Sequence, residues 1–247
     1  MTSVARPFLS VIIPAYNEAN RLPLTLIDVD RHLSAQPYAY EILVIDDGSS
    51  DATAEIARRF SGVIKNLKLI NNPENRGKGA AVKIGMLTAK GNWRLQMDAD
   101  NSNPVPEFHK MMPYFTPEHG FDIVIASRGV KGSKIAPPMP LLRRICEWVL
   151  NLKIRLILNS KVKDFLLGFH CFSGESAEKI FSLVRLTSWS YAVESLVLGE
   201  KLGFKIKEIP IAASYDAGSR FRMGNYLQII WETIKIWWWL KRKRYSF

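Results

Sequence analysis

The sequence predicts an α/β fold built on a mostly parallel, doubly wound sheet, and three observations lead there. Short β-branched runs alternate with helical segments from Phe8 to Ala126, the pattern of strands joined by helical crossovers. Each run stops at a loop carrying charged or hydrogen-bonding side chains. At 247 residues the chain can bury a sizeable core as one large domain, or as one domain with an appendage.

Taken in order, Phe8 to Ile13 reads as a buried strand stopped by Pro14. The loop from Pro14 to Glu18 leads into a helix with apolar positions Leu22, Leu26, Val29 and Leu33. Glu41 to Ile45 is the second strand. It runs into Asp46 and Asp47, and a helix begins near Asp51 with Ser or Asp available as its cap. That helix presents Ala54, Ile56, Ala57 and Phe60. Leu67 to Ile70 is the third strand, and the glycine-bearing turn Asn75–Gly79 opens a helix over about Ala80–Ala89. Trp93 to Met97 is the fourth strand. A helix is expected after Pro104 and Pro106, followed by a strand over Asp122–Ala126 that ends at Ser127 and Arg128.

The remainder has a different character. Residues 131–140 read as a linker-like loop, and Leu141–Leu158 as a helix with an apolar stripe at Leu141, Ile145, Trp148, Val149, Leu152 and Leu156. Arg144, Glu147, Asn151 and Arg155 fall on another face; that basic face and Trp148 favour a helix lying on a bilayer surface over one facing the core. From Val162 the expectation is a loop, then helices near 175–183 and 190–202 and a strand over Lys205–Ile211. The last apolar run, Tyr226–Leu240, has 15 residues and contains Glu232 and Lys235. About 20 apolar residues are needed to span a bilayer, so this segment is expected to lie at the interface rather than cross.

Charge divides the chain in the same place. Residues 1–130 hold 14 Lys+Arg and 14 Asp+Glu, so the remaining 34 − 14 = 20 basic and 23 − 14 = 9 acidic residues carry the whole net charge of +11. Six of the seven tryptophans also lie in the second part, three of them (Trp237 to Trp239) one residue ahead of Lys241-Arg242-Lys243-Arg244. Tryptophan beside cations favours a membrane interface with anionic lipid. Nucleic acid is not an expected partner, because the first half carries no nucleic-acid motif. Cys146 and Cys171 sit in apolar stretches, which points to core thiols in a reducing compartment. The N-terminal residues before Phe8 lack the apolar region of a signal peptide.

If the strands are parallel, Tyr16 and Glu18, Asp46 and Asp47, Arg76 and Lys78, Asp98 and Asp100, and Arg128 all meet at one edge of the sheet. That edge is where open α/β sheets bind ligands. Asp98 and Asp100 offer hard oxygen ligands suited to Mg²⁺ or Mn²⁺ held jointly with a substrate's phosphates. The other carboxylates suit a base or ribose, and Arg76 and Lys78 suit phosphates. The chain lacks the glycine patterns of dinucleotide-binding and P-loop sites, so neither class is supported.

These same segments resemble a family. Ser10–Glu18 (SVIIPAYNE), Val44–Ser49 (VIDDGS), Asn75–Gly79 (NRGKG) and Asp98-Ala99-Asp100 are similar to successive motifs of family 2 inverting glycosyltransferases with the GT-A fold. The longer run from Pro14 to Pro23, with Asn75–Val82, resembles dolichyl-phosphate β-glucosyltransferases more than the neighbouring mannose synthases. Asp164–Phe172 resembles the family's D-x-x-x-G-F-x-x-F segment, and Gly218-Ser219-Arg220 its G-S-K/R segment.

The resemblance implies that Pro14, Tyr16, Glu18, Asp46 and Asp47 serve the nucleotide, with Lys78 beside it and Asp98 and Asp100 on the metal. It nominates Asp164 as base, a role expected to be positioning more than proton removal, since a phosphate monoester is already ionised above its second pKa of about 6. An anionic acceptor needs cations, and Arg128, Arg143, Arg144 and Arg220 are the candidates. Two departures stand out: Ser102 replaces a glutamine of some relatives, and Ala192-Val193-Glu194 replaces Asp-Val-Glu.

The implied activity is metal-assisted transfer of a hexose, from UDP-glucose in the first instance, to a polyprenyl or dolichyl phosphate. Transfer from GDP-mannose, or to a glycan or lipid hydroxyl, is the alternative. The implied organisation is a nucleotide-sugar half (1–130) and, in the same catalytic domain, an acceptor half with an interfacial helix (131–224), followed by a Trp-rich basic interfacial helix (225–247). The expected location is the cytoplasmic face of a membrane, peripheral or monotopic.

Overall fold

The computed structural model describes residues 6–214 and 223–245. The chain runs β1 (Leu9–Ala15), α1 (Leu22–Ser34), β2 (Tyr40–Asp47), α2 (Thr53–Ser61), β3 (Leu67–Asn72), α3 (Lys78–Thr88) and β4 (Trp93–Met97). Two 3-10 helices, Val105–Lys110 and Met112–Phe115, lead to β5 (Ile123–Ala126) and β6 (Lys134–Ile135). Then come α4 (Leu141–Leu158), β7 (Phe169–Ser173), α5 (Gly174–Leu183), α6 (Tyr191–Lys201), β8 (Ile206–Ile209), β9 (Ala212–Ala213) and α7 (Met223–Lys241). One seven-stranded sheet has the order β3-β2-β1-β4-β7-β5-β8, and β6 pairs with β9 separately.

Apolar layers cover both faces of the sheet, which is why its central strands read as unbroken hydrophobic runs. Alternation along β1 sends Val11 and Ile13 into one layer with Leu26 and Val29 of α1. Ile12 enters the other, with Ala81 and Met86 of α3 and residues of α4, α5, α6 and α7. The four apolar positions expected on α1 are all buried.

Several elements differ from the sequence reading. Pro14 does not stop β1. It pairs in register with Ile45 of β2, while the ladder to β4 has already ended at Ile12 and Gln96, so no N–H is required of it on that side. The cap position of α2 is held by Ala52 rather than by the expected Ser or Asp, although Asp51 Oδ1 accepts from the Thr53 N–H at 2.9 Å. The segment after Pro104 forms 3-10 turns rather than an α-helix. The linker-like loop contains β6.

The segment expected as a loop after Val162 contains β7, which lies between β4 and β5 and runs antiparallel to both. β5 ends at the carboxyl edge of the sheet, and Asp164 to Gly168 bring the chain back to that edge beside Arg128 and Asp98, so the next strand runs the other way. Helix α4 has the expected bounds, but it buries Glu147, Leu150, Asn151, Ile154 and Leu158. Leu141, Ile145, Trp148 and Leu156 of the predicted stripe remain exposed. Helix α7 packs against α4 and exposes Leu227, Trp231, Ile234, Trp237 and Trp238. Among the described residues no helix is long and apolar enough to cross a membrane.

Candidate active site

Parallel strands put the carboxyl ends of β1, β2, β4 and β5 at one edge, where a cavity of about 390 Å³ opens. Asp98 follows the last residue of β4. Its Oδ1 accepts from Lys78 Nζ at 2.6 Å and from Gln96 Nε2 at 3.1 Å. Tyr191 Oη donates to Gln96 Oε1 at 3.0 Å, so a buried side chain of α6 orients the amide that orients Asp98. A Cβ at Gly168 would sit 2.5 Å from Asp98 Oδ2, and only glycine leaves the carboxylate its place there. Asp100 Oδ1 accepts from the Ser102 N–H at 3.0 Å, and Arg21 Nη1 lies 3.9 Å from Oδ2. Burial pushes the Asp98 carboxyl above its ordinary pKa; Lys78 opposes that and Asp100 adds to it.

These two carboxylates fit a divalent cation. They converge in the cavity with Lys78 and Arg21 partly balancing their charge. Among the described residues no cluster of three or more His, Cys, Asp or Glu forms a self-sufficient metal cage. A Mg²⁺-like site completed by substrate phosphate and water asks for no more than one or two carboxylates.

One wall of the cavity is built by the turn before α3. Asp47 Oδ1 accepts from Asn72 Nδ2 at 2.9 Å and the Arg76 N–H at 3.2 Å, and its Oδ2 accepts from the Gly77 N–H at 2.8 Å. Gly77 adopts φ +95°, and a Cβ there would lie 2.5 Å from the Thr187 carbonyl oxygen. The Gly79 N–H donates to that same carbonyl at 2.7 Å. Lys78 Nζ lies 4.5 Å from the centre of the Trp189 ring. Pro14, Tyr16 and Glu18 line the cavity, and Glu18 is bidentate with Arg21 at 2.7 Å.

Arg128, which also lines the cavity, directly follows Ser127 at the end of β5. Its Nε and Nη2 donate to the two oxygens of Asp164, each at 2.8 Å, and its own N–H donates to Asp164 Oδ2 at 3.0 Å. Nη1 donates to Glu147 Oε2. Arg143 Nε donates to Glu147 Oε1 at 3.1 Å. Burial would raise the Asp164 pKa, but the Arg128 guanidinium and backbone N–H groups overcome it and hold the carboxyl at about 2. The same carboxylates push Arg128 further up against its own burial. His170 of β7 is driven down to about 4 by burial and is neutral.

Three expected residues are not brought into the cavity. Asp46 is buried and its Oδ2 accepts from the Ser49 N–H at 3.2 Å, because neighbours on a strand point to opposite faces and Asp47 took the cavity side. Arg76 turns outward beside Glu74, and only its backbone meets Asp47. Arg144 is exposed, one residue round α4 from the inward-facing Arg143. Arg220, with Gly218 and Ser219, lies outside the described residues.

Conversely, the site also depends on Arg21, Gln96, Glu147, Gly168, Trp189 and Tyr191, which the sequence motifs do not name for it. Arg21 and Glu147 leave a local trace, three residues after Glu18 and four after Arg143, the spacing of helical ion pairs. The other four act across long sequence separations and leave none. Of the two departures, Ser102 lines the cavity. Ala192, where the second departure falls, is buried on α6, and Glu194, which matches, is buried accepting from the Arg185 and Leu186 N–H groups and from Tyr245 Oη.

Comparison with known proteins agrees with this geometry. The chain is 32% identical to a dolichyl-phosphate beta-glucosyltransferase of Dictyostelium discoideum, covering 86% of this chain and 68% of that one. It is 32% identical to the enzyme of that name from Drosophila melanogaster, covering 90% and 74%. Among solved structures it resembles glucosyl-3-phosphoglycerate synthase of Mycobacterium tuberculosis in complex with Mn²⁺, UDP-glucose and phosphoglyceric acid. The TM-score is 0.66 at 20% identity, over 94% of this chain and 78% of that one. Mannosyl-3-phosphoglycerate synthase of Rubrobacter xylanophilus gives a TM-score of 0.69 at 16% identity, over 96% and 75%. These structures share the mixed α/β fold of the expected GT-A type. The family description "Glycosyl transferase family 2" matches residues 10–181, and with the motifs seated on the strand ends as described, the chain belongs to glycosyl transferase family 2.

Proposed function

We propose that this chain transfers glucose from UDP-glucose to a polyprenyl phosphate of the dolichyl type at a membrane surface. The observation that carries the reading is that one cavity is lined both by the Asp98 and Asp100 carboxylates with Lys78 and by the Arg128 and Arg143 guanidinium groups. A nucleotide diphosphate needs the first set and an anionic acceptor the second. The names of the two relatives above supply the sugar and the lipid.

Pro14, Tyr16, Glu18 and Asp47 hold the uridine, and Lys78 meets the diphosphate. Asp98 and Asp100 hold Mg²⁺ or Mn²⁺, which when bound neutralises charge growing on the departing diphosphate. An oxygen of the acceptor phosphate forms the new bond to the anomeric carbon as the bond to the diphosphate oxygen breaks. The electron pair leaves with UDP and the configuration inverts. The phosphate is largely ionised above its second pKa of about 6, so no strong base is required. Asp164, held near 2, is a poor base and a firm clamp on Arg128.

Residues 1–130 form the donor half and 131–224 the acceptor half. The exposed apolar faces of α4 and α7, with Lys241 to Arg244, rest on the cytoplasmic leaflet. The test presents the chain with radiolabelled UDP-glucose or GDP-mannose, Mn²⁺ and a short polyprenyl phosphate. Label entering lipid from UDP-glucose alone is expected. Label from GDP-mannose instead overturns the donor, and transfer only to hydroxyl acceptors overturns the acceptor.

A further inference from the structure

Glu147 has no part in the reaction as described, yet it sits at the acceptor end of the cavity. It lies on the inner face of α4 and is 6% exposed. Two guanidinium groups grip its carboxylate: Arg128 Nη1, from the end of β5, donates to Oε2, and Arg143 Nε, one turn earlier on α4, donates to Oε1 at 3.1 Å. All three residues line the cavity. An anion held by two arginines from different elements is in the setting that phosphate recognition uses.

Charge counting makes the position of Glu147 consequential. Arg128 and Arg143 balance Asp164 and Glu147, so the cluster is neutral. A phosphate monoester, carrying about −1.5 to −2 at neutral pH, would leave the cluster strongly negative unless a carboxylate gives way. Asp164 is tied by three Arg128 donors and by the Leu166 N–H, and is 2% exposed. Glu147 is held through the guanidinium groups that the phosphate itself would take.

Resting on the acceptor reading above, we propose that Glu147 is a built-in competitor for the arginine pair, exchanged for the acceptor phosphate, and that it sets selectivity for phosphate monoesters over phosphodiesters. A diester bears a single negative charge and gains nothing electrostatically by replacing a carboxylate. A monoester bears more and displaces it. The device suits the position of α4, whose outer face carries Leu141, Leu142, Ile145 and Trp148 exposed. A surface of ordinary membrane lipids presents diester head groups in great excess, and an ungated arginine pair would be filled by them.

The test compares the full chain with Glu147→Gln, using farnesyl phosphate as acceptor and its methyl diester as inhibitor. In Glu147→Gln the diester inhibits more strongly, and the ratio of diester inhibition constant to acceptor KM falls about tenfold, while the KM for UDP-glucose stays close to that of the parent. Glu147→Asp, which keeps the charge and shortens the reach, moves the ratio the same way by a smaller step, and it stands in if Glu147→Gln does not fold. An unchanged ratio in the variants overturns the inference, as does a loss of kcat with the ratio kept. Arg128→Ala separates the two levels. If it leaves acceptor KM untouched, the acceptor site itself is misplaced; if it raises acceptor KM while Glu147→Gln leaves the ratio unmoved, only the role of Glu147 falls.

Discussion

Asp98 and Asp164 stand in one cavity and are driven in opposite directions. Burial wins at Asp98 and raises its pKa. At Asp164 the Arg128 guanidinium wins against burial and brings the pKa from an ordinary 3.8 to about 2. A depressed folded-state value stabilises the protein above the unfolded pKa and is lost as pH falls through the folded one. Wild type is therefore expected to exceed Asp164→Asn in urea-unfolding stability by on the order of 2 kcal/mol near neutral pH. That margin should shrink as pH falls from about 4 towards 2. In activity, the acidic limb near pH ~6 should persist in Asp164→Asn, because it belongs to the acceptor phosphate. A limb that vanished with Asp164 would assign proton removal to this residue. At this scale the sequence showed which residue types were present at each strand end. It did not show that Asp47 faces the cavity and Asp46 its own turn, because either phase of the strand is compatible with the run Glu41–Asp47.

β7 and α4 are the elements on which the site turns. β7 carries a short run, Phe169 to Phe172, apolar but for His170 and buried throughout. Nothing local distinguishes such a run from a loop crossing the core, and its place between β4 and β5 is a long-range fact. Its entry brings Gly168 against Asp98. Gly168→Ala is expected to push the Asp98 carboxylate out of position and weaken Mn²⁺ binding in the presence of UDP by about tenfold, on the scale of other changes that disturb ligand orientation. The readout is free Mn²⁺ by electron paramagnetic resonance, with thermal unfolding as a check that the fold is kept. α4 was legible in its bounds and in the apolar stripe it leaves exposed, and not in the burial of the polar face opposite. Glu147 and Asn151 are buried because Arg128, Arg143 and the Phe165 N–H satisfy them, and a buried polar group with partners is acceptable where an unpaired one is not.

On the scale of the whole molecule, a neutral half and a basic half share one sheet, since β7 and β8 come from beyond residue 130 and close on β4 and β5. The apolar exposure is concentrated on the paired helices α4 and α7, with Trp148 67% and Trp231 60% exposed. Exposed indoles beside Lys and Arg are the features of an interfacial surface. Co-sedimentation with anionic vesicles should therefore fall as salt rises, while binding to neutral vesicles changes less. Trp148→Ser with Trp231→Ser should lower binding to both by about tenfold or more, and turnover of a short soluble acceptor should be retained. Salt-insensitive binding, or binding untouched by the double change, would place the membrane contact elsewhere.

The sequence by itself determined the alternation of strands and helices, the class of sheet, the family motifs at the strand ends and the division of charge. These are local properties, carried by apolar periodicity, turn residues and composition within a few residues of each position. Only the tertiary structure decided that β7 runs antiparallel through the middle of the sheet, that Gly168 and Gln96 set the place of Asp98, and that α4 buries its glutamate. Those outcomes depend on which distant groups meet: a carboxylate turns inward when arginines from another element await it, and an apolar stripe stays outside when the inner face is already satisfied.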